Sequence, residues 1–107
     1  MTGLTLLYVT CANHQEARRI AGVLVEEKLV ACANIMPPHT AVYRWQEEVR
    51  DEPEVAMVLK TRAELTARVA ERIKGLHSYS VPCVVALPIQ GGNPDFLTWI
   101  GKEVLAD

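Results

Sequence analysis

The chain has 107 residues, 50% of them hydrophobic and 22% charged, with a formal net charge of −2. That length supports one core, and the composition excludes a disordered chain. Eleven basic against thirteen acidic residues speak against nucleic acid as a partner, and no apolar run reaches the ~20 residues of a membrane-spanning helix. The N-terminal MTGLTLLYVT carries no basic leader-like segment, so a cytoplasmic protein is expected. Cys11, Cys32 and Cys83 are odd in number and lack CxxC spacing. Free thiols in a reducing compartment follow, with neither a disulfide scaffold nor a structural zinc site.

Residues 4–9, LTLLYV, form a continuous apolar run of strand length. Asn13, with Glu16 three residues on, offers a capping signal for a first helix whose apolar stripe is Ala17, Ile20, Ala21 and Leu24. Glu16, Arg18, Arg19, Glu26 and Glu27 then take its solvent-facing positions, and the helix ends near Lys28. Residues 29–36 predict a second strand that bends or breaks at Pro37-Pro38. Ala41, Tyr43 and Trp45 alternate with Val42 and Arg44, which resumes the strand period. The charged run QEEVRDEPE, residues 46–54, reads as a hairpin tip or an exposed edge. Without an Asn-Gly turn the hairpin register stays open.

Val55, Met57 and Leu59 give a third strand, and Thr61 with Glu64 makes a T-x-x-E capping box for a second helix. Leu65, Val69, Ile73 and Leu76 are the stripe of that helix. Pro82 introduces a fourth strand, Cys83 to Ile89. Asn93-Pro94 starts a last helix carrying Phe96, Leu97, Ile100 and Val104. The order β-α-β-β-α-β plus a terminal helix predicts an α+β fold, the ferredoxin-like split βαβ antiparallel sheet, in a single domain over residues 1–107. Two helices cover one sheet face. The other face is still apolar and calls for an oligomer.

Few residues stand out for chemistry. Lys60 closes the apolar strand VAMVLK, either as an anion partner or as a lysine that snorkels into water. Tyr43 and Trp45 point the same way, toward a pocket or an interface. His77, in the turn HSYSVP, suits a ligand or a proton carrier, or complements the helix dipole. Cys11 and His14 have half a metal-site spacing, and Cys83 either faces His77 or is a small buried hydrophobe. His39 is expected to be exposed. No G-x-S-x-G elbow and no phosphate loop is present, so no catalytic signature supports an enzyme.

Several segments together resemble the CutA family of divalent-cation tolerance proteins: EEKLVACANI, YRW, LKT, the H-x-Y-x-V-P turn and VVALPIQGGNPDFLTWI. In family order and spacing they cover roughly residues 4–101. The resemblance implies a ferredoxin-like subunit in a homotrimer, related in architecture to the PII signalling proteins. It also implies tolerance to copper and other divalent metals, with direct metal binding by a first-strand Cys, the turn His and a Glu after the turn proline. Here the nearest positions are Cys11, His77 and Cys83. Cys83 stands where the Glu is usual, Cys11 sits beyond the expected place near Val9, and Ser78 and Ser80 replace the Pro and Glu of H-P-Y-E. A Cys/His/Cys set favours soft Cu(I). By position, Tyr43, Trp45, Lys60, His77 and Tyr79 would surround a cleft between subunits. A PII-like sensor binding a small anion there is the alternative implied. A hydrolase of acyl phosphates on this fold would need a phosphate-cradling loop with Arg and Asn, and none is found.

Overall fold

The computed structural model describes residues 2–106; the first and last positions of the expected 1–107 domain lie outside the described residues. The order is β1 (Leu4–Cys11), α1 (His14–Glu26), β2 (Cys32–Ile35), β3 (His39–Trp45), β4 (Glu48–Arg62), α2 (Thr66–Leu76), β5 (Val84–Ile89) and α3 (Pro94–Glu103), with a 3-10 turn at Ala63–Leu65. The strands form one five-stranded antiparallel sheet in the order β2-β4-β1-β5, with β3 paired to β4. This is the expected α+β topology, its second strand divided at Pro37-Pro38.

Strand alternation separates the two sheet faces. Leu7, Val9 and Cys11 of β1 lie opposite Leu59, Met57 and Val55 of β4, all fully or nearly fully buried. They pack with Ala17, Ile20 and Leu24 of α1 and Val69 and Ile73 of α2 in one core. On the other face, Tyr8 neighbours Val58 and Val85, while Leu6 neighbours Lys60 and Leu87. Tyr8, Val85 and Leu87 are exposed there, so the uncovered apolar face expected from the sequence is present. Helix α3 closes one end of the sheet, where the Arg62 guanidinium donates to the Gly101 carbonyl at 2.8 and 3.2 Å.

Strand β4 organises the molecule. Its second half, Val55–Arg62, is the central strand between β1 and β2, and its first half pairs only with β3. The β3–β4 hairpin therefore projects beyond the core. The Cα radius of gyration is 14.2 Å, against about 13 Å for a compact chain of this length.

The local signals differ in how they fared. Asn13 caps α1, its side chain accepting from the Glu16 N–H at 2.8 Å, and Asn93 caps α3 by accepting from the Asp95 N–H at 3.0 Å. Lys28 adopts a left-handed conformation, φ 60°, just after α1. The Thr61 box is not a cap. Thr61 is a buried strand residue whose hydroxyl donates to the Leu29 carbonyl at 2.6 Å, and α2 starts only at Thr66. The strand continues because Thr61 pairs with Thr5 on β1, and that ladder outweighs the local cap. The run 46–54 is mostly strand. Only Gln46 and Glu47 turn the chain, both at positive φ (48° and 67°), and the charges belong to a paired ladder with β3. Of residues 29–36, only Cys32–Ile35 are strand, and Leu29, Val30 and Ala31 are a buried connection.

Candidate functional site

The C-terminal end of β1, the first turn of α1 and the turn after α2 converge on one carboxylate. Glu16 was expected to face solvent, yet it is 7% exposed. Its Oε1 accepts the Ala12 N–H at 2.9 Å and its Oε2 accepts the Ser78 N–H at 2.8 Å. Burial pushes this carboxyl upward, but the backbone hydrogen bonds from Ala12 and Ser78 and the neighbouring His77 outweigh it and hold its pKa below the usual carboxylate value. Arg19 stands 3.9 Å away. A signal for this burial exists in the sequence: Glu16 lies four residues before Ile20 and eight before Leu24, on the edge of the apolar stripe.

His77 has a fully buried side chain, with Nδ1 4.0 Å from Glu16 Oε2. Its Nδ1 accepts the Tyr79 N–H at 3.0 Å, which leaves the proton on Nε2, 2.8 Å from the Thr10 carbonyl. Both ring nitrogens are thus tied to backbone. Cys11 is fully buried beside them, and burial, reinforced by Glu16, pushes its thiol pKa up to about 12. The ligating atoms of Cys11, Glu16 and His77 all lie within 4.8 Å of one another. Among the described residues no other three such donors meet so closely. His14, the half-site partner suggested by spacing, is exposed on the first turn of α1 and does not join them. Cys83 does not join them either: it is exposed, and its carbonyl accepts the Thr10 N–H at 3.4 Å.

Above this cluster opens a cleft of about 780 Å³ between the projecting hairpin and the sheet. Tyr43 and Trp45 come from β3, Glu52 and Glu54 from β4, Tyr8 and Thr10 from β1, and Tyr79, Ser80 and Cys83 from the connection to β5. The Tyr79 ring stacks obliquely on His77 with centroids 4.8 Å apart. Burial, together with Glu54 and Glu52, pushes the Tyr79 phenol up to about 12. The Tyr43 hydroxyl donates to Glu52, which raises the Tyr43 pKa. His39, half-buried at the start of β3, stands 3.7 Å from Glu54.

Of the five residues that the resemblance sets around a cleft between subunits, Tyr43, Trp45 and Tyr79 line this cleft within the chain, and His77 lies beneath Tyr79. Lys60 lies elsewhere on the sheet, donating to Asn34 Oδ1 at 2.5 Å with Cys32 Sγ at 3.8 Å. Sequence reasoning missed Tyr8, Glu52 and Glu54 as cleft residues. Their meeting depends on how the hairpin curls over the end of β1, which no local pattern encodes.

No helix among the described residues is long and apolar enough to cross a membrane. The family described as CutA1 divalent ion tolerance protein matches residues 5–103. The Thermus thermophilus divalent-cation tolerance protein CutA is 44% identical over 98 residues, covering 92% of this chain and 95% of that protein. The rice chloroplastic protein CutA 1 is 42% identical over 89% of this chain, which spans only 54% of that relative. Among solved structures, the divalent cation tolerance protein Cut A1 from Thermus thermophilus superposes with a TM-score of 0.92 at 42% identity, over 94% of this chain and 98% of that one. Rice CutA1 superposes with a TM-score of 0.94 at 38% identity over all of both chains. With nearly its whole length matched in both sequence and fold, the chain belongs to the CutA1 divalent ion tolerance family.

Proposed function

We propose that this chain is a cytoplasmic, non-catalytic metal-tolerance protein that binds copper or a related divalent ion as a homotrimer of single CutA-like domains. The observation that carries the reading is the convergence of Cys11, Glu16 and His77 within 4.8 Å. Thiolate, carboxylate and imidazole together suit soft and borderline transition metals. Cys11 and His77 come from the set expected by resemblance, and Glu16 takes the place given there to Cys83. The residues fit an ion by exchange. His77 would give up one backbone partner, Cys11 would lose its proton, and the Glu16 oxygens keep lone pairs beyond the two N–H groups they accept. The free thiols suit a reducing compartment. The exposed Tyr8, Val85 and Leu87 suit a face closed by other copies, with the cleft then lying at the boundary between subunits.

Calorimetric titration of the reduced protein with Cu(I) and Cu(II), after light scattering fixes its mass, tests this. About one ion per subunit is expected, lost in His77→Ala and weakened in Glu16→Gln. Absence of saturable binding, or binding untouched by both variants, would overturn it. The small-anion reading has less behind it: Lys60 is engaged with Asn34, and the cleft wall carries Glu52 and Glu54.

A further inference from the structure

We propose that the cleft between the β3–β4 hairpin and the sheet is a binding site for a small organic ammonium cation. The inference does not rest on the buried metal cluster, with which the cleft shares no ligating atom. Three observations carry it.

The first is charge. The charged and titratable side chains facing the cleft are Glu52 and Glu54 from β4, Arg50 beside them, His39 and Tyr43 from β3, Tyr8 from β1, and Tyr79 and Cys83 from the β5 connection. Two carboxylates thus meet one guanidinium, and Arg50 is shared with Glu48 outside the cleft at 3.5 Å. The Glu54 side chain is 12% exposed, and among the described residues its one ion partner is the His39 imidazole 3.7 Å away. Glu52 accepts the Tyr43 phenol, a neutral donor. A carboxylate held this far from water without a full counter-charge is stabilised by an incoming cation.

The second is the wall. Tyr8, Tyr43, Trp45 and Tyr79 surround these carboxylates. Aromatic faces attract weakly hydrated cations through the ring quadrupole, and Trp and Tyr do so best. Thr10 and Ser80 add hydroxyls able to accept ammonium protons.

The third is what the cleft lacks among the described residues. No group of three close metal-ligating atoms lies within it. No lysine lines it. Its volume of about 780 Å³ falls in the range of small-molecule sites, far larger than one ion requires. Aromatic walls around two acids therefore select an alkylammonium over a bare metal ion and over an anion.

The test uses the intact protein in its native assembly, in buffer with EDTA so that metal binding contributes nothing. Butane-1,4-diamine and tetramethylammonium are titrated by calorimetry and by tryptophan fluorescence, with sodium and acetate as controls. Saturable binding of an ammonium probe is expected at a Kd of about 1 mM or tighter. Glu54→Gln, nearly isosteric, should weaken it about tenfold or more, as loss of a charged partner does. Trp45→Leu, on the projecting hairpin and outside the core, should weaken it with the fold intact. The proposal is overturned by absence of saturable ammonium binding, by binding indifferent to both variants, or by preference for acetate. It is overturned equally if the cleft is filled by a second copy, in which case the probes bind only on dilution to the monomer.

Discussion

The buried cluster and the cleft above it are two residues apart along the chain, at His77 and Tyr79, yet they obey opposite physics. In the cluster the side-chain oxygens and nitrogens are answered: Glu16 by two backbone N–H groups, His77 by one donor and one acceptor. In the cleft two carboxylates are set among aromatic rings with incomplete counter-charge. A satisfied buried network fixes a conformation, whereas an unsatisfied concave one leaves free energy for a ligand. The cluster ties three segments together and holds the Tyr79 wall in place. An ion entering it must compete with the fold's own hydrogen bonds.

Mutations that separate stability from binding break this comparison most directly. Glu16→Leu strands the Ala12 and Ser78 N–H groups and should cost about 2–4 kcal/mol in denaturant unfolding. Glu54→Gln should cost less than about 1 kcal/mol, because the amide is nearly isosteric and the ion pair lost, with the His39 imidazole at 3.7 Å, is long. Equal losses would mean that the cleft, too, is structural. His77→Ala comes next. It removes a buried ring and leaves the Tyr79 N–H without its acceptor, so a loss of about 1–3 kcal/mol is expected. The same variant should loosen ammonium binding through Tyr79.

Alkaline titration sharpens the contrast further. The Tyr79 phenol and the Cys11 thiol both have folded pKa values raised to about 12. Their contribution to stability is complete below the unfolded pKa values, about 8.5 for Cys and 10 for Tyr. It is lost as pH rises through the folded ones, because the unfolded chain ionises first. Stability should therefore decline between about pH 9 and pH 12, and an ultraviolet phenolate titration should find Tyr79, and also Tyr43, ionising late. The smallest effect belongs to the hairpin tip. Gln46→Asn with Glu47→Gly places residues tolerant of positive φ in the turn and should stabilise the protein by about 1 kcal/mol, with the cluster unaffected.

Much of the architecture was readable because its signals are local. The Asn13 and Asn93 caps, the stripes of α1 and α2, and the break at Pro37-Pro38 each depend on neighbours a few residues away. Thr61 misled because its capping pattern is real in sequence, while its neighbour across the ladder, Thr5, is 56 positions distant. Glu16 misled for the opposite reason. A charged residue at the rim of an apolar stripe reads as solvent-facing until Ser78, 62 residues later, is known to supply an N–H. The cleft follows the same logic. Tyr43, Trp45 and Tyr79 were visible as aromatics, but their acidic companions lay in a charged run that resembles any solvated edge.

Strand β4 runs without interruption from the hairpin tip at Glu48 to the core at Arg62, exposed at one end and buried at the other. Its amides form a built-in ruler for hydrogen exchange. Those from Met57 to Lys60 sit between two partner strands and should exchange only on global opening. Those before Pro53 are paired on one side alone and should exchange by local fraying. Protection that spreads outward along this strand with rising protein concentration would report subunit assembly, residue by residue.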